Sequence, residues 1–173
     1  MTTDPSPSAI RRIRASEGWL LRDLRRRSLT DAPDAFGQAL DEAREQPGRD
    51  WESRARQSAR GDARAWFVAE RDGAAVGLVQ GRRRQPGTLL VFSMWVEGRY
   101  RRTGTGRALI EATEAWAREW HATETVLWVF PANRPAVEFY RRLGFQVMED
   151  GDDAESGTRY GALAMRRSIE AVG

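Results

Sequence analysis

The sequence predicts an α/β (α+β) domain, and three observations carry that prediction. The first third is helical in pattern, with Leu20, Leu21, Leu24 and Ser28 recurring at three- and four-residue spacing. From Ala65 the pattern changes to short apolar runs separated by turn formers, as antiparallel hairpins require. From Thr105 onward, helical and strand patterns alternate. A chain of 173 residues fits one domain with a core of its own. We place that domain at residues 9–170, after a flexible arm at 1–8 containing Pro5 and Pro7.

Each element has its own signal. Residues Ile10 to Arg14 suit a short edge strand. The helix that Ser16 opens presents its leucines on one face and its arginines on the other. Turn formers from Thr30 to Gly37 break it, and a second helical region follows in two pieces, Gln38 to Glu45 and Trp51 to Ala59. Asp50 is the expected N-cap of the second piece and Gly61 its end. Strands are predicted at 65–71, 75–82 and 88–96, parted by Asp72-Gly73 and Gln85-Pro86-Gly87. A helix from Thr105 to Trp120 carries the stripe Leu109, Ala112, Trp116 and Trp120, with Glu114 and Arg118 as an outward i,i+4 pair. Thr125 to Phe130 reads as a buried strand and Asn133 to Leu143 as a short helix closed by Gly144. Phe145 to Met148 and Tyr160 to Met165 read as strands joined by the acidic stretch Glu149 to Glu155.

Composition removes several function classes. There is no cysteine and one histidine, His121, so thiolate catalysis, disulfides, a histidine-based metal site and a Ser-His-Asp triad are all disfavoured. No run of about 18 apolar residues spans a membrane, and no secretory h-region opens the chain. The expected compartment is the cytoplasm. Every basic residue is arginine, which cannot deprotonate, so a modest net charge of +3 accompanies a pI of about 10.1. The arginine clusters are interleaved with acids and read as solvated faces rather than a nucleic-acid surface. Trp66, Trp95, Trp116, Trp120 and Trp128 fall at core positions of strands and helix.

Two stretches carry chemistry. In Arg101-Arg102-Thr103-Gly104-Thr105-Gly106-Arg107, the glycines let the backbone turn tightly just before a helix. The unpaired N–H groups and positive dipole end of such a helix attract an anion. The stretch is neither a Walker loop nor a dinucleotide fingerprint. About thirty residues later comes Asn133-Arg134-Pro135-Ala136-Val137-Glu138-Phe139-Tyr140-Arg141-Arg142-Leu143-Gly144-Phe145. With both stretches in this order, the chain resembles the GNAT superfamily of N-acetyltransferases over roughly residues 10–167. The resemblance rests on Arg101, Gly104 and Gly106 in the loop and on Asn133, Ala136, Phe139-Tyr140 and Leu143-Gly144-Phe145 in the second stretch.

That resemblance implies a GNAT-type acyl-CoA N-acyltransferase fold: a mixed, mostly antiparallel sheet whose strands 4 and 5 splay apart, flanked by helices. It implies acetyl-CoA as cofactor and no metal. The backbone of Met94, Trp95 and Val96 would pair with the pantetheine arm, and a backbone N–H at the end of that strand would polarise the thioester carbonyl. Backbone amides of Arg102, Thr103, Gly104, Thr105, Gly106 and Arg107 would hold the pyrophosphate, beside the charge of Arg101. Thr103 stands where arginine or glycine is usual. Asn133 would touch the arm or simply cap its helix, and Tyr140 would be the general acid toward the departing thiolate. The base is not fixed by this pattern, and Glu97 at the strand's end is one candidate, acting through water. Asp34, Phe36 and Glu42 are candidates for binding the acceptor, in a pocket built from residues 28–45 and 149–160.

The expected activity is transfer of an acetyl group to a primary amine of a small molecule by direct attack on the thioester. A protein N-terminus or lysine as acceptor, and a non-catalytic acyl-CoA sensor, are the alternatives. No nucleic-acid or membrane partner is expected, and a homodimer through a strand edge at 160–166 is left open.

Overall fold

The computed structural model describes residues 8–35, 48–84, 86–148 and 161–170. Strand β1 (Ala9–Arg12) precedes helix α1 (Gly18–Asp31) and a 3-10 turn at Pro33–Ala35. Helix α2 (Gly48–Arg60) leads into β2 (Arg64–Arg71), β3 (Ala74–Arg84) and β4 (Thr88–Val96). A 3-10 turn at Gly98–Tyr100 precedes α3 (Thr105–Arg118), and then come β5 (Glu124–Val129), α4 (Arg134–Arg142), β6 (Gln146–Val147) and β7 (Leu163–Ser168). The seven strands form one sheet in the order β1-β2-β3-β4-β5-β7-β6. Every neighbouring pair is antiparallel except β4 and β5, which run parallel. The parallel step needs a crossover, and α3 supplies it.

Two apolar layers hold the sheet. On one face Leu20, Leu21 and Leu24 of α1 and Trp51 and Ala55 of α2 pack against Trp66, Val68, Leu78 and Trp95. The other cluster joins Leu109, Ile110 and Trp116 of α3 and Val137 and Tyr140 of α4 to Val79, Leu89, Val91, Leu127 and Met165. Each fully buried leucine or isoleucine here stabilises by roughly 1.5–3 kcal/mol.

Several predicted details are corrected. The arginines of α1 do not all face outward, because Arg25 is buried. Asp50 does not cap α2, since the helix begins at Gly48 and places Asp50 in its first turn, where a carboxylate favours the dipole. The Gln38 to Glu45 piece lies outside the described residues. Glu114 is not an outward partner of Arg118. It is 3% exposed and pairs with Arg167 of β7 at 2.6 Å, while Arg118 donates to the Glu170 carbonyl. The last strand begins at Leu163 and ends at Ser168, later than the apolar pattern from Tyr160 suggested. It is not a free edge, because β7 lies between β5 and β6, with Gln146 and Val147 paired to Arg166 and Met165.

Candidate active site

The site begins where the sheet comes apart. Pairing of β4 with β5 runs from Thr88↔Glu124 to Val91↔Leu127 and stops there, although both strands continue. The cause is a β-bulge in β4. Leu78 pairs with Trp95 and Gln80 with Phe92, so two steps on β3 match three on β4, and Ser93 takes a φ of 54°. A bulge bends the strand and sharpens its twist, which turns Met94–Val96 away from β5. The result is a wedge with a bare strand edge along one wall, a surface that accepts another extended amide chain.

At the head of the wedge the backbone is arranged for an anion. Gly104 adopts φ +87°, a left-handed conformation that glycine enters without strain. The first inward bond of α3 runs from the Ala108 N–H to the Gly104 carbonyl at 3.0 Å. Among the described residues nothing accepts from the N–H groups of residues 102–107. The threonine hydroxyls are directed elsewhere: Thr103 donates to the Tyr100 carbonyl at 2.7 Å and meets Thr105 Oγ1 at 3.0 Å. A run of unpaired amides at a helix N-terminus is a fixed positive site for a phosphate group. Gly106 is required by a close approach, for a Cβ there would lie 3.0 Å from Phe139 Cζ and 3.3 Å from Met94 Cε. These three residues bring α3, α4 and the β4 bulge together.

The predicted side chains take varied positions. The Arg101 guanidinium is turned from the amides toward α1, where Nε donates to the Val96 carbonyl at 2.8 Å and Nη2 meets the Asp31 carboxylate. Asp31 also accepts from the Trp95 indole N–H at 2.9 Å. That bond, and secondarily Arg101, holds the Asp31 carboxyl below the usual aspartate range. Arg102 and Arg107 are exposed at the loop, and Arg107 lies 3.7 Å from Glu111. Tyr140 is 7% exposed, beside Phe139 and edge-on to Phe145 with ring centres 5.7 Å apart. Burial pushes its phenol well above the ordinary tyrosine value, and among the described residues its hydroxyl has no hydrogen-bond partner. Asn133 caps α4, its Oδ1 accepting from the Ala136 N–H at 3.3 Å.

Glu97 is held between two guanidiniums, accepting from Arg99 Nε at 2.6 Å and from Arg27. Asp34 is exposed in the 3-10 turn after α1, while Phe36 and Glu42 lie outside the described residues. Sequence reasoning missed Asp31 as the tie between α1, β4 and the loop, and no spacing marks it. It also missed the bulge, whose one trace is the polar Ser93 inside the apolar run from Leu89 to Val96. Among the described residues no cluster of His, Asp or Glu fits a metal ion, and no helix is long and apolar enough to cross a membrane.

A mixed sheet opened between two parallel strands, with unpaired helix-terminal amides at the opening, is the architecture that the resemblance to N-acetyltransferases implies. Comparison with known proteins agrees. The Acetyltransferase (GNAT) family matches residues 21–145, and the chain belongs to that family. An N-alpha-acetyltransferase from Sulfurisphaera tokodaii is 37% identical over 109 residues, covering 52% of this chain and 65% of that protein. The chain therefore spans just under two thirds of that relative's length. Among solved structures, an acetyltransferase of the GNAT family from Streptococcus pneumoniae superposes with TM-score 0.74 at 22% identity, covering 94% of this chain and 99% of that one. The PaiA N-acetyltransferase from Thermoplasma acidophilum, solved with coenzyme A, gives 0.75 at 18% identity, with 93% and 98% covered. At those identities the likeness is one of fold.

Proposed function

We propose that the chain moves the acetyl group of acetyl-CoA to the primary amine of a small molecule by direct attack of the amine on the thioester. The observation that carries this reading is the row of unpaired amides at residues 102–107 beside the open edge of β4. The residues fit the cofactor: those amides would hold the diphosphate, the β4 edge at Met94, Trp95 and Val96 would pair with the pantetheine arm, and Asn133 at the start of α4 would touch that arm. Bound acetyl-CoA supplies an activated acetyl thioester.

The protein's own work is then positioning and proton management. N–H groups on the open edge of β4 stabilise developing charge on the carbonyl oxygen better than water does, because they are already oriented. Tyr140 donates a proton toward the sulfur, and burial keeps that phenol protonated at any pH where the enzyme works. Glu97 is a poor base, since Arg27 and Arg99 already occupy its carboxylate. The acceptor accordingly loses its proton to solvent, and the rate rises with pH until the amine is neutral.

The protein N-terminus is a second acceptor class, favoured by the N-alpha-acetyltransferase relative. A thiol-release assay with acetyl-CoA against small amines and short peptides separates the two, and the absence of cysteine keeps its background low. Turnover on small amines exceeding that on peptides supports the proposal. Peptide-only turnover overturns the small-molecule reading, and coenzyme A binding without any transfer points to a sensor.

A further inference from the structure

The face of the sheet that packs α1 and α2 also carries a row of polar donors lacking acceptors. Trp66, Gln80, Phe92 and Trp128 lie side by side across β2, β3, β4 and β5, for Trp66 pairs with Gln80 and Gln80 with Phe92. Phe92 and Trp128 stack with centres 5.6 Å apart and planes 23° from parallel. The Arg82 guanidinium sits over the Phe92 ring at 4.7 Å, and its Nε donates to Gln80 Oε1 at 2.7 Å. Gln80 is 4% exposed, so this side chain fixes the arginine from beneath.

What surrounds Arg82 is positive. Arg64 is its direct cross-strand partner, and like charges directly opposite one another destabilise a sheet. Desolvation first, and then the charges of Arg64 and Arg54, weaken the hold of Arg82 on its proton. Among the described residues no carboxylate meets Arg54, Arg64 or Arg82. Arg27 makes the contrast, since it too lies over a ring, Trp95 at 5.3 Å, but it meets Glu97. The indole nitrogens of Trp66 and Trp128 are buried and have no partner among the described residues. Every unsatisfied group along this row is therefore a donor or a cation, an arrangement that costs stability unless a ligand brings acceptors.

We propose that this row is an anchor for a carboxylate on the acceptor, so that the enzyme acetylates amines that also bear a carboxylate. The inference rests on the transferase reading above and names the acceptor class for the same site. Phe92 is the last residue before the bulge, and Trp128 is the first beyond the last residue of β5 paired with β4. The row therefore ends at the mouth of the wedge. Met94 stands two strand steps on, roughly 7 Å, a span that a guanidinium and a short amino acid bridge together. A guanidinium and a carboxylate also match as a bidentate pair. Cations nearby disfavour an ammonium and favour the free amine, which supplies the nucleophile without a protein base.

The test pairs amines that differ only in the carboxylate: free amino acids against their amides, and short peptides with an acidic second residue against those with the corresponding amide. Initial rates of thiol release are measured for the parent enzyme and for Arg82→Gln and Arg82→Lys. The acid member of a pair should have a KM about tenfold lower. Arg82→Gln should raise that KM about tenfold, leave the KM of the amide member unchanged and leave coenzyme A affinity intact; Arg82→Lys should recover part of the loss. Which pair responds, amino acids or peptides, identifies the source of the carboxylate. Amides turned over as well as acids, or Arg82→Gln acting equally on both, overturn this inference and leave the acetyltransferase standing. Coenzyme A binding with no amine acetylated at all overturns the transfer reading, and this one with it.

Discussion

Removing Glu114 exposes the largest electrostatic commitment in the core. Its Oε1 accepts from Thr125 Oγ1 and from Arg167 Nε, each at 2.8 Å, and Oε2 takes Arg167 Nη2 at 2.6 Å. The Glu114 side chain is 4% exposed and that of Arg167 16%, so little solvent screens the pair. Arg167 also donates to the Leu143 carbonyl at 2.6 Å and lies over the Phe145 ring. One ion pair thus joins α3, β5 and β7 to the turn that follows α4. Glu114→Ala leaves a guanidinium without its counter-charge, which costs about 3–5 kcal/mol, and strands the Thr125 hydroxyl for a further ~1–3 kcal/mol. For a domain of this size each kcal/mol lowers Tm by about 2–4 °C, so a fall of at least ~8 °C is expected. The double change Glu114→Leu, Arg167→Leu removes both charges, and its cost should fall short of the sum for Glu114→Leu and Arg167→Leu made singly by at least ~2 kcal/mol. Urea unfolding of the parent, both singles and the double measures this directly. Singles that each cost under ~1 kcal/mol, or costs that simply add, refute the reasoning.

Other outcomes follow from the site. Tyr140→Phe should lower kcat about 100-fold or more while leaving coenzyme A affinity unchanged, as stopped-time thiol release and calorimetry will report. Because burial raises the Tyr140 pKa in the folded state, the unfolded chain ionises this phenol first. Its contribution to stability is therefore complete below pH ~10 and fades above it, so alkaline unfolding should occur at higher pH in Tyr140→Phe. The Asp31 carboxyl, lowered first by Trp95 and then by Arg101, should titrate by NMR below the ordinary aspartate value and move back further in Trp95→Phe than in Arg101→Ala. The stability it lends is present above the unfolded pKa of about 4 and is lost as pH falls through the folded value. Gly106→Val should weaken coenzyme A binding, because its side chain would push Phe139 and Met94 into the wedge.

The central hairpins were legible because turn chemistry and apolar alternation agree: the strands expected at 65–71, 75–82 and 88–96 appear at Arg64–Arg71, Ala74–Arg84 and Thr88–Val96. The glycine loop was legible because Gly104 sits where a left-handed residue must precede α3. What escaped was tertiary. Glu114 has one partner by spacing, Arg118 on its own helix, but burial set it against Arg167 across the sheet. Arg101 looked like charge for a phosphate because nothing in the chain's spacing brings Asp31, seventy residues away, against it. The opening between β4 and β5 depends on one left-handed serine, and serine carries no local signal for that conformation.

The proposed coenzyme A site turns on the amides at residues 102–107. Calorimetric titration of the protein with coenzyme A and with pantetheine, which lacks the diphosphate, tests them most directly. Several charge-assisted bonds to a fixed anion site should make coenzyme A bind about 100-fold more tightly than pantetheine. Equal affinity for the two, or no heat with either, would contradict diphosphate binding by these amides.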